Sequence, residues 1–420
     1  MKTLGINISH DASICIMEDG VITEYYEENR LQRDKWWTPN SNLDWLSLEK
    51  IKDQKFDYVG MVSFDRRETN FHYGDYNDDD FDEKGFAAAD KDSLPIEEKS
   101  TNAVNTYDNK QEDMASIMRH EFRWEAEKCY EDLQTELLDW ERIEELQEDH
   151  SRLVVDASAY TNSEDNDWGL SNISYEDRML CDNAAQQLGI DVYHFEQGEH
   201  HKFHVYGGYH LSDWEKTGED ALVIVQDGGG SYPLFNTYPV HQEVESIWTI
   251  GKEGVERKWT HLSNMRMTYD ACEYTRANPN VYTKEIDDCD WEFSSKPSMG
   301  YLFSNVCSSL GIDEKGRSAG TVMGYATYGV YNPEIMNPAG ISQLMQTKSY
   351  EYTCSLIEKA LTYSDTKNII ITGGYALNCS NNIKYVQKYP ELNFFIDPCA
   401  ADSGTAIGMS NYLTNYKEWS

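Results

Sequence analysis

The chain has 420 residues, of which 40% are hydrophobic and 13% aromatic, and its formal net charge at pH 7 is −38. The length is sufficient for two domains that each bury a core, and the composition is that of a folded chain. Long-range repulsion from so acidic a chain opposes binding to nucleic acid or to an anionic membrane. We therefore expect no membrane partner and regard polymeric nucleic acid as disfavoured, whereas a nucleotide ligand needs only a local cluster of positive groups.

The N-terminus and the cysteines indicate a cytoplasmic protein. The first residues already alternate like a strand where a signal peptide would be apolar, and no apolar run approaches the roughly 18 residues of a membrane helix. The nine cysteines are dispersed between Cys15 and Cys399 without a CxxC pair. This pattern favours reduced thiols over a disulfide framework and excludes a zinc ribbon.

The first residues predict a strand meander. The stretches at 2–9 and 12–18 alternate in polarity, and a third strand follows the turn formed by Asp19 and Gly20. A similar order returns from residue 221, where ALVIVQ runs into DGGGS and then into the further strand pattern YPLFNTYPV. The two openings indicate a duplicated domain.

Two later segments each predict a buried strand, a glycine-bearing turn and a helix, at 367–386 and 392–413. Strands mixed with crossover helices indicate an α/β protein. We predict two lobes, 1–215 and 216–420, of which the second carries the nucleotide-binding turns.

The composition changes between residues 66 and 150. An acidic run at 74–85 resembles a calcium loop in spacing, but Asp80 and Phe86 occupy its glycine and closing glutamate positions, so a solvated acidic loop is favoured. Helical spacing follows at 114–149. We interpret 66–150 as an acidic, partly helical insertion in the first lobe.

The segment EHHKFH at 199–204 carries three histidines. On a helix, His200 and His204 project from one face about a turn apart, as two imidazole ligands of one metal ion do, and His201 points elsewhere. A surface helix whose histidines meet water is the alternative. Asp227 and Asp402 follow predicted strands, where ligands collect in α/β sheets. Their alternative roles are a turn residue and a helix N-cap.

Two glycine-rich turns follow buried strands. Glycine lets backbone N–H groups approach an anion, and a helix beginning near Tyr375 would add its N-terminal dipole. Neither turn matches a P-loop or a dinucleotide fingerprint, and tight turns also need glycine. As a pair they predict a nucleotide between the lobes, bound at Gly228, Gly229, Gly230, Gly373 and Gly374.

A third group lies near the N-terminus. His10 lies in the first predicted turn and faces the presumed cleft. Arg30, Arg33 and Lys35 are cations in an otherwise acidic chain. Surface ion pairing is the alternative for each cation; together they would neutralise a phosphate or acyl phosphate.

Together these segments resemble the O-carbamoyltransferases of the NodU/CmcH/TobZ type. Residues 4–35, from LGINISHD to RLQRDK, resemble the opening motif of that family, and EHHKFH resembles its DHHxxHA. GGYALN at 373–378 and DPCAADSGTAIGMS at 397–410 resemble two further motifs. The match runs from residue 3 to about 410, apart from the insertion.

The resemblance implies a duplicated, actin-like (ribonuclease-H-type) fold and a carbamoyltransferase. The carbamoyl group would pass from carbamoyladenylate, made from carbamoyl phosphate and ATP, to a hydroxyl of a sugar, a natural product or a hydroxymethylated nucleobase. The resemblance also implies a divalent metal ion, iron in preference to manganese or zinc. On this sequence its ligands would be His200, His204, Asp227 and Asp402.

The resemblance further assigns residues to the donor and to catalysis. Carbamoyladenylate would lie across the cleft, with its adenosine near Gly373, Gly374 and Asn378. His10 matches the active-site histidine of the family, where it would take the proton of the attacking hydroxyl, and Lys35 matches a motif lysine.

Three departures from the family pattern leave alternatives open. The motif EGKxMGxAPYG lacks its Glu and Lys here, where Ala319 and Thr321 stand, and Trp36 replaces a usual histidine. The YrdC-like domain of the family, which makes carbamoyladenylate, has no counterpart before Ser420, so we expect a separate YrdC-like protein to supply the donor. A non-catalytic nucleotide-binding or regulatory subunit remains one alternative. A phosphotransferase of the same superfold is the other, and the metal histidines disfavour it.

Overall fold

The computed structural model describes residues 1–34, 37, 39, 45–63, 175–196, 199–231, 242–263, 289–294, 298–310, 312, 318–330 and 338–417. The predicted insertion at 66–150, with its acidic loop, lies outside the described residues, as do Lys35 and Trp36.

The first sheet confirms the N-terminal strands. Its members are β1 (Lys2–Asn7), β2 (Ser13–Glu18), β3 (Val21–Glu27), β4 (Tyr58–Val62) and β5 (His194–Glu196). They run in the order β3-β2-β1-β4-β5. The β1–β2 and β2–β3 pairs are antiparallel, whereas β1–β4 and β4–β5 are parallel.

The second sheet has six strands. They are β6 (Ala221–Gln226), β7 (Gln242–Gly251), β8 (Gly254–Ser263), β9 (Asp290–Ser294), β10 (Asn368–Thr372) and β11 (Asn393–Ile396). Their order is β11-β10-β6-β7-β8-β9. The β6–β7 and β7–β8 pairs are antiparallel, and β6–β10, β10–β11 and β8–β9 are parallel.

The two sheets repeat one topology. The order β8-β7-β6-β10-β11 reproduces β3-β2-β1-β4-β5 strand for strand, with the same parallel and antiparallel pairs, and β9 extends one edge. This is the duplicated two-lobe, actin-like arrangement of an α/β protein, so the predicted fold class is confirmed. The strands of the first sheet precede residue 216 and those of the second follow it. The domain boundary itself stays a prediction.

Ten α-helices are described: α1 (Glu28–Gln32), α2 (Leu46–Ile51), α3 (Tyr175–Leu188), α4 (His200–Leu211), α5 (Asp213–Thr217), α6 (Met299–Ser309), α7 (Ala319–Tyr325), α8 (Pro338–Ala360), α9 (Cys379–Lys388) and α10 (Thr405–Asn411). Short 3₁₀ turns occupy Ala326–Tyr328, Gly374–Leu377 and Asp402–Gly404, and a π-helical turn occupies Tyr412–Tyr416. Within the described ranges, no helix is both long and apolar enough to cross a bilayer.

Helices α4 and α10 pack so closely that their main chains are in contact. A Cβ atom on Gly408 would lie 1.9 Å from the carbonyl oxygen of Phe203, and one on Gly5 would lie 2.1 Å from that of Ala406. Only glycine permits these approaches, which bring α10 onto both α4 and β1. Phe203 also belongs to one buried hydrophobic core together with Val62, at the end of β4 in the first sheet, and Val225, in β6 of the second sheet. The close packing of α4 against α10 therefore places the first residues of both helices at the junction of the lobes.

Candidate metal centre

Helix α4 is buried, so the alternative of a surface helix whose histidines meet water is wrong. The exposed fraction of His200, His201 and His204 is 1% or less. His201 points away from the other two histidines: its Nδ1 atom lies 2.8 Å from the Ser246 hydroxyl, and its ring packs against Gly230. The helical spacing of His200 and His204 is confirmed, and both side chains face one point.

Four side chains meet at that point. His200 Nε2 lies 3.1 Å from His204 Nε2, 3.3 Å from Asp227 Oδ2 and 3.6 Å from Asp402 Oδ1. His204 Nε2 lies 3.7 Å from Asp227 Oδ2 and 3.8 Å from Asp402 Oδ1. One donor atom from each residue falls within 4.8 Å of the others. The structure thus brings together all four residues that the sequence proposed as ligands.

The spacing of these atoms fits a single metal ion. Four nitrogen and oxygen donors about 2.1 Å from one ion at tetrahedral angles lie about 3.4 Å apart, close to the separations of 3.1–3.8 Å that involve the histidines. All four residues are buried, with Asp227 the most exposed at 6%. Two imidazoles and two carboxylates form a donor set that divalent transition metals accept.

Asp227 is oriented by both glycine turns. Its Oδ1 atom accepts hydrogen bonds from the main-chain N–H of Gly228, at 2.7 Å, and of Gly374, at 3.3 Å. Its Oδ2 atom is thereby turned towards the histidines. A carboxylate whose second oxygen is already hydrogen-bonded is held as a monodentate ligand.

Asp402 is held by residues of the first lobe. The Asn7 side-chain amide donates to the Asp402 carbonyl oxygen at 3.0 Å, and the Ser9 hydroxyl donates to Asp402 Oδ2 at 3.4 Å. The Ser13 hydroxyl donates to the carbonyl oxygen of Ser403 at 2.6 Å. Sequence reasoning did not single out Asn7, Ser9 or Ser13, although Ser9 directly precedes His10. Asp402 lies one turn before α10, whose N-cap is Gly404, so its expected alternative as the N-cap is wrong.

The histidines and aspartates of the cluster shift each other's pKa values. Burial alone would lower the pKa of His200, but the carboxylates of Asp402 and Asp227 outweigh it and raise the pKa to about 10. Burial opposes ionisation of Asp227, yet its hydrogen bonds with His200 and His204 hold its pKa well below the usual range. Without an ion, His200 therefore carries a proton that balances the carboxylates.

His10 lies at the solvent-facing rim of the cluster. Its Nδ1 atom lies 3.5 Å from Asp402 Oδ2, and its Nε2 atom lies 3.5 Å from Asp11 Oδ2. The His10 side chain is 56% exposed, in contrast to the four buried candidate ligands. Burial, outweighing the attraction of His10, raises the pKa of Asp11, another neighbour that sequence reasoning passed over.

The glycines of the two turns differ in how much of their backbone is exposed. A Cβ on Gly229 would lie 2.4 Å from the Gln242 side chain, and one on Gly230 would lie 2.6 Å from the His201 ring. These glycines are explained by internal packing. Gly228 and Gly374 are partly exposed, and a Cβ on Gly374 would meet only Asp227 Oδ1 within 4 Å. The partly exposed backbone of the two turns is therefore found at Gly228 and Gly374.

Asn378 belongs to the interior. It is fully buried, pairs its amide with that of Gln346, and caps α9 by accepting from the Asn381 N–H. The α-helix begins at Cys379 and not near Tyr375, because Gly373 at φ +86° leads first into a 3₁₀ turn. The predicted helix start near Tyr375 is accordingly a short 3₁₀ turn, and the α-helix begins later, at Cys379.

Two of the predicted cations, Arg30 and Arg33, lie apart from the candidate metal ligands. Arg30 is exposed and forms an ion pair with Glu27, as its alternative role expected. The second oxygen of Glu27 accepts a hydrogen bond from Ser403, the residue after Asp402, at 3.2 Å. Arg33 is exposed in a left-handed backbone conformation at φ 57°. The structure brings neither arginine into contact with the four ligands.

No known family profile and no curated protein matches this sequence. Similar solved structures include a ROK family protein from Streptococcus pneumoniae TIGR4 in complex with sucrose, at 11% identity, TM-score 0.42 and full coverage of both chains. A ROK family glucokinase from Streptomyces griseus in complex with glucose and AMPPNP has 8% identity and TM-score 0.41, over 97% of this chain and 98% of that one. Full-length HypF in a phosphate- and nucleotide-bound form has 13% identity and TM-score 0.35, over 56% of this chain and 46% of that chain.

At these identities and TM-scores the similarities do not bear on activity. The strand orders and the site geometry define the class: a duplicated, actin-like two-lobe protein with a buried cluster of two histidines and two aspartates at the lobe junction.

Proposed function

We propose that the chain is a metal-dependent carbamoyltransferase that uses carbamoyladenylate as donor and a hydroxyl as acceptor. The observation that carries the proposal is the convergence of His200, His204, Asp227 and Asp402 on one point, with His10 at its rim. These residues come from four separate parts of the chain. The segments around His10, around His200 and His204, and around Asp402 resemble motifs of the carbamoyltransferase family.

The bound metal ion would supply a Lewis acid that polarises the carbamoyl and phosphate oxygens. The two imidazole Nε2 atoms and one oxygen from each aspartate would hold it. We assign it as a divalent transition metal ion, with iron favoured by the sequence resemblance and manganese and zinc as the other candidates.

The nucleotide part of the donor would lie against the backbone at Gly228 and Gly374. The partial exposure of both glycines supports this placement. Because both main-chain N–H groups also orient Asp227, a donor seated there would lie next to the metal ligands.

His10 would act as general base. The acceptor hydroxyl oxygen forms a bond to the carbamoyl carbon, its proton passes to an imidazole nitrogen of His10, and the bond from that carbon to the phosphate oxygen breaks. AMP leaves and the carbamoylated acceptor remains, so atoms and charges balance. The exposed position of His10 leaves it accessible to an incoming hydroxyl, and imidazole is the side chain most often used for proton transfer in enzymes.

The test follows carbamoyl phosphate labelled in its carbamoyl carbon. The full chain is incubated with the label, ATP and a panel of sugars, polyols and hydroxymethylated nucleosides, with and without a YrdC-like protein. We expect label in an acceptor together with an equal amount of AMP, lost with a chelator and restored by added metal. Release of ADP with a phosphorylated acceptor would instead identify a phosphotransferase. Nucleotide binding without any transfer would identify a binding subunit.

A further inference from the structure

A second group of charged side chains is buried next to the metal-binding helix. Glu199, Glu243 and Arg257 are 7%, 0% and 2% exposed. Two carboxylates and one guanidinium at such depth are costly to desolvate, and apolar residues of the same volume commonly stabilise a fold equally well or better. Stability alone therefore does not account for this group.

Arg257 bridges the two carboxylates. Its Nη2 atom donates to Glu199 Oε2 at 3.2 Å, and its Nε atom lies 3.4 Å from Glu243 Oε1. The guanidinium lies 4.5 Å from the ring centroid of Trp248, and the Thr260 hydroxyl donates to Glu243 at 2.8 Å. A planar guanidinium holds two partners in fixed directions, which the ammonium of lysine does not.

Each partner of Arg257 is joined to a segment that carries metal ligands. Glu199 immediately precedes His200, and its carbonyl oxygen accepts the N–H of Phe203 at 3.3 Å in the first turn of α4. Glu243 exchanges main-chain hydrogen bonds with the glycine turn, accepting from Gly230 at 2.7 Å and donating to Ser231 at 2.8 Å. That turn begins with Asp227.

The turn also contacts α4 directly. The Ser231 hydroxyl accepts the main-chain N–H of His200 at 3.1 Å. A closed loop of contacts thus runs from His200 through Glu199, Arg257, Glu243 and Ser231 back to His200. Displacing one member would shift a histidine ligand relative to Asp227.

We propose that Arg257 is a positioning residue of the metal centre, which sets the start of α4 against the turn that carries Asp227. The inference rests on the metal site of the proposed function. Groups that orient ligands without touching the ion typically contribute about 10- to 100-fold to metal affinity.

The test uses variants that separate positioning from folding. Arg257→Lys keeps the charge and loses the two-directional contact. The triple variant Glu199→Gln, Glu243→Gln, Arg257→Met removes all three charges at similar volume, so no uncompensated buried charge is left to unfold the chain. Leu48→Ala, in the core of the first lobe, serves as a control that lowers stability away from this loop. Each protein is stripped of metal and titrated with Co²⁺, with the dissociation constant, the visible spectrum and the thermal midpoint measured.

We expect Co²⁺ to bind the triple variant about 10- to 100-fold more weakly than the wild type and with an altered visible spectrum, with a smaller loss for Arg257→Lys. Leu48→Ala should keep the wild-type affinity and spectrum at a lower thermal midpoint. Wild-type affinity and spectrum in both Arg257 variants would overturn the positioning role and leave the proposed function standing. A wild-type chain that binds no Co²⁺ would overturn the metal centre itself.

Discussion

The main-chain N–H of Gly374 donates a hydrogen bond to Oδ1 of Asp227 over 3.3 Å. This contact joins the turn after β10 to the turn after β6, which the β6–β10 pairing places side by side. The two glycine turns and the metal cluster, which the sequence suggests separately, are therefore one structural unit.

Replacing Gly373 should weaken this unit. Gly373 has φ +86° and ψ 158°, a region open almost only to glycine, and a Cβ there would lie 2.3 Å from the Gln226 carbonyl oxygen. We expect Gly373→Ala to lower the free energy of unfolding by at least about 2 kcal/mol in urea denaturation, since strain and collision add. Gly189→Ala is the matched control, because Gly189 has φ +64° with nothing within 4 Å of its Cβ position. Equal losses of unfolding free energy in the two variants would show that the close contact between residue 373 and the Gln226 carbonyl oxygen adds no cost.

Asn378 should prove to be a structural residue. Its amide is paired with Gln346 and caps α9 in the interior, so Asn378→Ala leaves buried polar groups without their partner. We expect a loss of about 1–3 kcal/mol in unfolding free energy and an unchanged dissociation constant for AMP. If the variant keeps wild-type stability but binds AMP more weakly, Asn378 contacts the nucleotide, as the sequence resemblance implied.

Metal binding should release a proton at neutral pH. The pKa of His200 is raised to about 10 without an ion, so the ring is protonated at pH 7, whereas a metal ligand must be neutral. Affinity should therefore rise with pH, by about tenfold per unit for one proton, between pH 6 and 9. Calorimetric titration of the metal-free chain with Zn²⁺, in buffers of different ionisation enthalpy, counts the protons. A count of zero at pH 7 would contradict this description of the cluster.

His10 should be needed for transfer and not for metal binding. It lies 3.5 Å from Asp402 Oδ2 on the exposed side of the ligands, outside the four-atom cluster. His10→Asn should reduce the transfer rate about 10²- to 10⁴-fold, the usual contribution of a general base, at unchanged metal content. Turnover at the wild-type rate would remove His10 from the mechanism.

The strands and the segments that carry the candidate ligands were predictable because their signals are local. Alternation identifies β1 and β2, the spacing of His200 and His204 is helical, and Asp227 directly follows a buried strand. The convergence of these residues is not local. It depends on glycines such as Gly408, which allow α10 to touch α4, and no short window of sequence shows that contact.

The supporting residues were missed for the same reason. Glu199 and Arg257 form an ion pair across 58 positions, and Asn7 reaches Asp402 across 395. In the sequence, each of these polar residues is indistinguishable from a surface residue. Their burial, which only the fold determines, shows that each forms a specific contact in the interior.

The most direct measurement is the metal content of the purified chain and of three variants by elemental analysis, after loading with Fe²⁺, Mn²⁺ or Zn²⁺ and removal of excess ion. We predict one equivalent of metal in the wild type and in His210→Ala. His210 lies on the same helix and pairs with Glu215, outside the cluster. We predict none in the double variant His200→Ala, His204→Ala and strongly reduced content in Asp227→Asn. Full metal content in the double variant would show that the four side chains are not the metal centre.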